Sequence, residues 1–337
     1  MPLRRNVQPR RYLIGAAMAL VAGGVCFAQA ADTDSIGEPG RSAGGKNSLK
    51  NVYFGEQHLH TVNSPDAFAM GTRNTPDDAF NYCKGKAIKK NTSGDMIQKK
   101  TPYDWCAVTD HAEYFGVFKG LADPKSDIST KLKDNPLVQM INSGDPKKGD
   151  EAFAKMAVTL TTNRPDPNFD RPDITKTNWA EFVKTVNKHN DPGKFTTLVA
   201  FEWTSIPNNQ NLHRNVFFRD DGPVVPFSAF DSDWPEDLWT YIETQRKSGH
   251  DSFAIPHNGN LSDGQMYAPR SSAGTPIDAR YAERRAKYEV ATEIIQVKGQ
   301  SDTHPALSPS DEFAGFERQY KDLIGTNPPV RGRVEYS

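Results

Sequence analysis

Two histidines that follow the first apolar run constrain the fold of this chain more than any other feature. The apolar residues 52–54 give way to Gly55, and His58 and His60 then stand at alternate positions. In an extended backbone such residues face the same side, so both imidazoles can reach one point in space. Imidazole and carboxylate are common metal ligands, and Asp66 follows closely. The stretch therefore predicts part of a metal site rather than isolated histidines.

The same arrangement recurs along the chain, where further apolar runs end in polar clusters. Strands that alternate with helices predict a mainly parallel α/β sheet, either open or closed into a barrel. Nearly every cluster lies just past the C-terminal end of a predicted strand, as in a β/α barrel with its active site at that end. We predict strands at 51–54, 105–109, 196–201, 215–218, 252–255 and 292–297, and helices at 75–82, 151–160, 179–189, 234–247 and 279–288.

Further candidate residues stand at the ends of these predicted strands. Asp110 and His111 end the second strand, and Glu202 directly follows the third. An acidic side chain after a buried run is costly unless it is paired or coordinated. His213 stands at the start of the fourth strand, and His257 follows the fifth. We expect these side chains to meet at one edge of the sheet.

Composition sets the broad class of the protein. Of 337 residues, 36% are hydrophobic and 25% are charged, which is typical of a globular protein with one large α/β domain. The 41 basic residues nearly balance the 42 acidic ones, so bulk charge does not favour nucleic acid as a partner. No nucleic acid partner is therefore expected, and the partner that we do expect is a small, anionic substrate molecule.

The N-terminus carries the signs of an export signal. Arginines precede residue 12, residues 12–27 are apolar and rich in Ala and Gly, and Ala28 and Ala30 form a small-x-small cleavage pattern. We predict a signal peptide at 1–30, a flexible tail at 31–50, and one domain at 51–337. Arg10 and Arg11 also resemble a twin-arginine signal, with an ordinary signal as the alternative. The mature protein would be periplasmic or secreted, without a stable membrane anchor.

Cleavage of that signal leaves two cysteines, Cys83 and Cys106. In an oxidising compartment an even pair permits one disulfide bond. Alternatively, Cys106 is a small buried residue of the second strand. Both interpretations stay open at the level of the sequence.

Taken together, the motifs resemble a known superfamily. Their order is that of the PHP (polymerase and histidinol phosphatase) superfamily, whose members are metal-dependent phosphoesterases. The motifs are His58-x-His60 with Asp66, Thr109-Asp110-His111, Glu202, His213 and His257. More closely, the strings YFGEQHLHT, AVTDHAEYFG, FEWTS, HRNVFF, IPHNG and QVKGQSDTHPALSPSDEFA resemble the bacterial domain-of-unknown-function 3604 family within it.

This resemblance covers residue 51 to the C-terminus and implies a fold. The expected fold is α/β, a distorted PHP-type (β/α)7 barrel with insertions. Six strands are predicted where seven are expected, so we expect the barrel to be incomplete at its C-terminal end. Asp302 and His304 match the final Asp-x-His of the superfamily by residue type. In the resembling family that stretch precedes a separate terminal motif, so their role as ligands stays open.

The resemblance also implies a site for two or three divalent ions, manganese, iron or zinc. Asp66 stands where many members have histidine, which shifts the preference toward manganese or iron. Asp110, within its motif, is a further candidate ligand. In the implied arrangement His58 and His60 hold the first ion, Glu202 bridges it to a second held by His213 and His257, and Asp66 and His111 hold a third.

These expectations lead to a hypothesis about function. The chain is predicted to be a hydrolase that uses the ions to activate water against an anionic phosphate ester. Glu202 and Arg214 are the catalytic candidates, Arg214 as a grip for a substrate oxyanion. A structural ion pair is the alternative role for Arg214. Hydrolysis of another ester or amide, and a non-catalytic or truncated metal-binding protein, are the alternative functions.

Overall fold

A computed structural model describes residues 51–318 of the chain, Thr92 excepted. These residues lie in one compact unit, Pro39–Ser337. The predicted signal peptide and tail lie outside the described residues. Within 51–318, no helix has both the length and the apolar content that crossing a membrane requires.

The centre of the molecule is a curled five-stranded sheet that forms half of a barrel. Its order is β1-β4-β5-β6-β7, so that β1 and β7 are the two edges. Two short hairpins, β2–β3 and β8–β9, lie outside it. The strands are β1 Gly55–Glu56, β2 Ile88–Lys89, β3 Met96–Ile97, β4 Trp105–Ala107, β5 Thr196–Trp203, β6 Arg214–Phe218, β7 Ser252–Pro256, β8 Ile295–Gln296 and β9 Gly299–Gln300.

The sheet is parallel on one side only, which corrects part of the sequence prediction. β1, β4 and β5 are parallel, whereas β6 is antiparallel to both of its neighbours, β5 and β7. A parallel pair needs a crossover of a dozen or more residues, usually a helix. The link between β5 and β6 is shorter and carries only a 3₁₀ turn, Pro207–Asn209. The chain therefore turns back on itself, and a (β/α)7 barrel is not confirmed.

Both ends of the predicted strand series differ from the structure. The first strand is Gly55–Glu56 rather than 51–54, and the side chains of Val52, Tyr53 and Phe54 are exposed. Pairing with β4 begins at Gly55, which faces Trp105 so closely that a Cβ would lie 2.2 Å from the indole ring. The predicted strand 292–297 belongs to the β8–β9 hairpin instead of the sheet.

Eight α-helices surround the sheet within the described residues, and the five predicted helices are among them. Six of the eight begin with proline, whose fixed φ suits the first turn and whose missing N–H is not needed there. The helices are α1 Pro65–Ala69, α2 Pro76–Cys83, α3 Asp127–Leu132, α4 Pro136–Asn142, α5 Pro146–Thr161, α6 Pro172–His189, α7 Pro235–Lys247 and α8 Ala279–Tyr288.

Two of the three hydrophobic cores of the described residues hold the helices in place. The larger packs α2, α6, α7 and α8 against the sheet around Trp179, Phe201 and Trp239, all at most 1% exposed. The smaller joins α1 to α3, α4 and α5 around Phe118 and Phe169. The helices α3, α4 and α5, which lie between β4 and β5 in the chain, therefore form a packed layer with a core of its own.

The two cysteines are free thiols in the larger core. Cys83 on α2 and Cys106 on β4 are both buried. A hydrogen bond with Cys83, together with burial, raises the pKa of the Cys106 thiol. The structure thus has the small buried residue that the sequence offered as the alternative to a disulfide bond.

Candidate metal centre

The polar clusters meet at one edge of the sheet because of the strand directions. β1, β4 and β5 end at this edge and deliver His58, His111 and Glu202. β6 runs the other way, so its first residues lie at the same edge and bring in His213. β7 is antiparallel to β6 and ends there with His257. β6 therefore brings the residue before its start to this edge, whereas the other four strands bring residues at or after their C-terminal ends.

Glu202 stands at the centre of this edge. Its side chain is 1% exposed, and both carboxylate oxygens face imidazole nitrogens. Oε1 lies 2.6 Å from Nδ1 of His213 and 3.0 Å from Nε2 of His257. Around Oε2 lie Nε2 of His60 at 2.7 Å, Nε2 of His58 at 3.4 Å and Nδ1 of His111 at 3.6 Å.

Two groups of these side chains could each hold a metal ion. In each group, one nitrogen or oxygen per residue lies within 4.8 Å of the others. The groups are His58, Glu202 and His257, and His60, Asp66 and His111. His58 and His60 therefore belong to different groups, although the resemblance implied that they share an ion. His213 belongs to neither group but touches the shared carboxylate.

The charges of the site fit cations better than protonated imidazoles. Five imidazoles surround Glu202, and the two other carboxylates in contact with them, Asp66 and Glu293, face only His58, His60 and His111. Burial lowers the pKa of His213 to about 4 and the pKa of His257 well below its usual value. Both rings are therefore neutral at pH 7, and neutral imidazole is the form that binds metals. Among the described residues, Nε2 of His213 and Nδ1 of His257 find no hydrogen bond partner.

The carboxylates, in contrast, keep their charge. Burial acts to raise the pKa of Glu202, but the His111 and His257 imidazoles outweigh it and hold this pKa well below its usual value. The pKa of Asp66 is likewise held well below its usual range, because His60 and His111 outweigh burial. Burial acts to lower the pKa of His58 and His60, but Glu202 and Glu293 raise the first and Asp66 and Glu202 raise the second. The site thus combines anionic carboxylates with imidazoles, a ligand set suited to divalent transition metals.

The second group is assembled around Asp66 at the start of α1. Oδ2 of Asp66 lies 3.0 Å from Nδ1 of His60 and 3.3 Å from Nε2 of His111. Ser64 donates a 2.7 Å hydrogen bond to Oδ1, which fixes the carboxylate. Thr204, just after β5, contacts Nδ1 of His111.

Asp110 lies beside the centre but outside both groups. Its Oδ1 accepts a 2.5 Å hydrogen bond from the Thr61 backbone N–H, and its Oδ2 accepts a 2.6 Å bond from the Thr61 hydroxyl. Burial raises the pKa of Asp110 to about 6, although these bonds oppose the increase. Both oxygens hold the loop that carries His60. This position differs from that of the metal ligand expected from the sequence.

Arg214 lies on the opposite face of β6 from the metal centre. Adjacent strand residues point to opposite faces, so Arg214 faces away from the side occupied by His213. Its Nε donates to Glu289 at 2.9 Å, and its Nη1 contacts the Leu212 carbonyl. The side chains of Arg214 and Glu289 are 1% and 2% exposed. These are the contacts of a structural ion pair, the alternative that the sequence left open.

The motif Asp302-x-His304 also lies apart from the two groups. Asp302 is exposed, and Nδ1 of His304 accepts a 3.1 Å hydrogen bond from the Ala306 backbone. Neither residue is in a group of the described residues that could hold a metal ion.

Glu293 contacts the centre, although the sequence analysis missed it. Its carboxylate oxygens lie 3.0 and 3.3 Å from Nδ1 of His58. The signal was present in the sequence, because Glu293 interrupts an apolar run that was assigned to a strand. The same reasoning that singled out Glu202, an acidic residue at an apolar run, applies to it.

Comparisons with known proteins identify the family. The model of the family described as "Protein of unknown function (DUF3604)" matches residues 47–335. No curated protein and no solved structure matched the chain. Since the match spans nearly all of the 337 residues, the chain belongs to the DUF3604 family.

Proposed function

We propose that this protein is a metal-dependent hydrolase of the PHP type that acts on a phosphate ester. The observation that carries the proposal is the buried Glu202 carboxylate, which contacts five imidazoles at 2.6–3.6 Å. Within the described residues, His213 and His257 face no other carboxylate, and burial lowers the pKa of both, so two neutral imidazoles stand against Glu202. Divalent ions would satisfy these groups, because neutral imidazole and carboxylate are both ligands for them.

Different groups of side chains would hold different ions. His58, Glu202 and His257 would hold one ion, and His60, Asp66 and His111 another. His213, which touches Oε1 of Glu202, would complete the centre or hold a third ion. The ions would supply the Lewis acidity that activates water and stabilises negative charge on a phosphoryl oxygen.

The ions themselves, rather than the net charge of the centre, favour an anionic substrate. Four carboxylates lie in or beside the centre, Glu202, Asp66, Glu293 and Asp110, and they would offset the charge of two divalent ions. A phosphate ester would be held by direct contact of its oxygens with the ions, which act as Lewis acids on a phosphoryl oxygen.

Hydrolysis of a carboxylic ester or amide is the second candidate. Arg214, the cation expected to hold a phosphoryl oxygen, is instead paired with Glu289 inside the fold. A carboxylic ester needs no such cation, and the same ions would polarise its carbonyl group. This observation favours an acyl substrate over a phosphoryl one.

Hydrolysis of small chromogenic esters tests both candidates. The mature chain would be loaded in turn with Mn²⁺, Fe²⁺ or Zn²⁺ and assayed with p-nitrophenyl phosphate, bis(p-nitrophenyl) phosphate and p-nitrophenyl acetate. We expect phosphate ester hydrolysis that a chelator abolishes and re-added metal restores. Hydrolysis of the acetate alone would support the second candidate. Metal binding without hydrolysis of any ester in a broad panel would contradict both.

We also propose that the protein is exported and loses residues 1–30. The proposal rests on the arginine-rich start, the apolar stretch and the small residues Ala28 and Ala30. Mass spectrometry of the chain from the native host tests it, and a mature N-terminus at Ala31 is expected. A chain that retains its first thirty residues would contradict the proposal.

A further inference from the structure

The two histidines of one metal group come from opposite edges of the sheet. His58 follows β1 and His257 follows β7, and these strands are the two edges. Their imidazole centroids nevertheless lie only 4.2 Å apart. No ladder of strand pairing joins β1 to β7 within residues 51–318. Besides the curl of the sheet, contacts outside the strand pairing therefore hold His58 and His257 together in this part of the chain.

Glu293 connects the two edges. Its backbone N–H donates a 3.0 Å hydrogen bond to the carbonyl of Pro256, the last residue of β7 and the neighbour of His257. Its side chain reaches the other edge, where it accepts from Nδ1 of His58 and from the Gln57 amide. The backbone of Glu293 is thus attached to β7 and its carboxylate to the segment that follows β1.

The contact also orients the His58 ring. A carboxylate accepts hydrogen bonds, so with an ion bound Nδ1 of His58 would carry the proton and Nε2 would offer its lone pair to the ion. Nε2 lies 3.4 Å from Oε2 of Glu202 and so faces the metal group. Carboxylates that bind the distal nitrogen of a metal-ligating histidine fix its tautomer and its orientation. Glu293 is such a carboxylate, because it contacts Nδ1 of His58 while Nε2 faces the metal group.

We propose that Glu293 is a positioning residue that assembles the metal group of His58, Glu202 and His257. The proposal rests on the metal centre of the proposed function and adds a residue that acts through His58. The other group depends on Asp66, which holds His60 and His111 from α1. Loss of the Glu293 carboxylate would therefore weaken the binding of one ion and leave the binding of the other unchanged.

Titration of the metal-free mature chain with Zn²⁺ alone, in competition with a fluorescent chelator, tests this selectivity. Wild type is expected to bind at least two ions. Glu293→Ala should lower the affinity for one of them by about 10- to 100-fold and leave another unchanged. Glu293→Gln should lose less, since its side-chain carbonyl still accepts from Nδ1 of His58.

Asp77→Asn is the matched control. It removes a carboxylate oxygen 2.9 Å from Nε2 of His189, an imidazole of α6 outside both metal groups. This variant should bind every ion with wild-type affinity. Thermal unfolding of the metal-free Glu293 variants would be measured alongside.

The outcomes separate this inference from the proposed function. Wild-type Zn²⁺ affinities in Glu293→Ala would overturn the positioning role. If Glu293→Ala lowers the affinity for all ions equally and the metal-free variant has a lowered unfolding midpoint, Glu293 has a general structural role. That result would also overturn the positioning role. A wild type that binds no Zn²⁺ would overturn the metal centre itself. Selective loss of one ion in a chain that hydrolyses no ester would support the role of Glu293 and contradict the proposed function alone.

Discussion

Replacement of Glu202 by glutamine is the most direct test of the metal centre. The variant keeps the size of the side chain but removes the charge at the point where five imidazoles converge. Loss of a residue that only orients a ligand costs about 10- to 100-fold in metal affinity. Glu202 contributes directly to one group and contacts both histidines of the other, so its loss should cost at least the upper end of that range.

The expected loss converts into a measurable free energy. A 100-fold change in affinity equals about 2.8 kcal/mol, since each tenfold step is about 1.4 kcal/mol. We expect Glu202→Gln to retain fewer ions than wild type after gel filtration, as measured by elemental analysis. Its phosphate ester hydrolysis should fall to the level of the chelated protein.

Glu113→Gln is the matched control for this variant. Glu113 is as deeply buried, but its Oε1 accepts hydrogen bonds from the backbone N–H groups of Thr204 and Ala229 instead of imidazoles. The control should retain the ion content of wild type. If Glu202→Gln binds as many ions as wild type, with affinities within about twofold, the reasoning from the shared carboxylate is refuted.

Three further substitutions test neighbouring features. Asp110→Asn should change the pH dependence of stability, because a buried carboxyl whose pKa is raised from 3.8 to about 6 destabilises the fold once it ionises. As the pH rises from 4 to above 6, wild type should lose about 3 kcal/mol relative to the variant, measured by urea unfolding of the metal-free proteins. A parallel pH dependence in both proteins would contradict this. Arg214→Met should destabilise the fold by about 3 kcal/mol, because Glu289 loses a buried partner. Its ion content should stay unchanged. Loss of ions in a folded variant would restore a role for Arg214 at the metal centre. Phe201→Ala should cost about 3–5 kcal/mol in urea unfolding, since its ring is fully buried, and a cost below 1 kcal/mol would contradict the described core.

Local signals in the sequence were sufficient to predict many elements and most of the metal-group residues. All five predicted helices are present, because helix signals such as apolar periodicity and, in four of the five, a proline at the start act within a few residues. The rule that acidic and imidazole side chains follow apolar runs brought His58, His60, His111, Glu202 and His257 onto one list. The structure gathers all five at one edge of the sheet.

Contacts between distant segments required the folded chain. β6 is antiparallel because a short connection precedes it, but the length of that connection does not reveal which strand β6 pairs with. The direction of β6 brings His213 to the site and turns Arg214 away. The contact of Glu293 with His58 spans 235 positions. Residue spacing records which neighbours share a face, but it does not record which faces pack together. That choice depends on long-range strand pairing and burial, so the ligand grouping and the partners of Asp110 and Glu293 appear only in the tertiary structure.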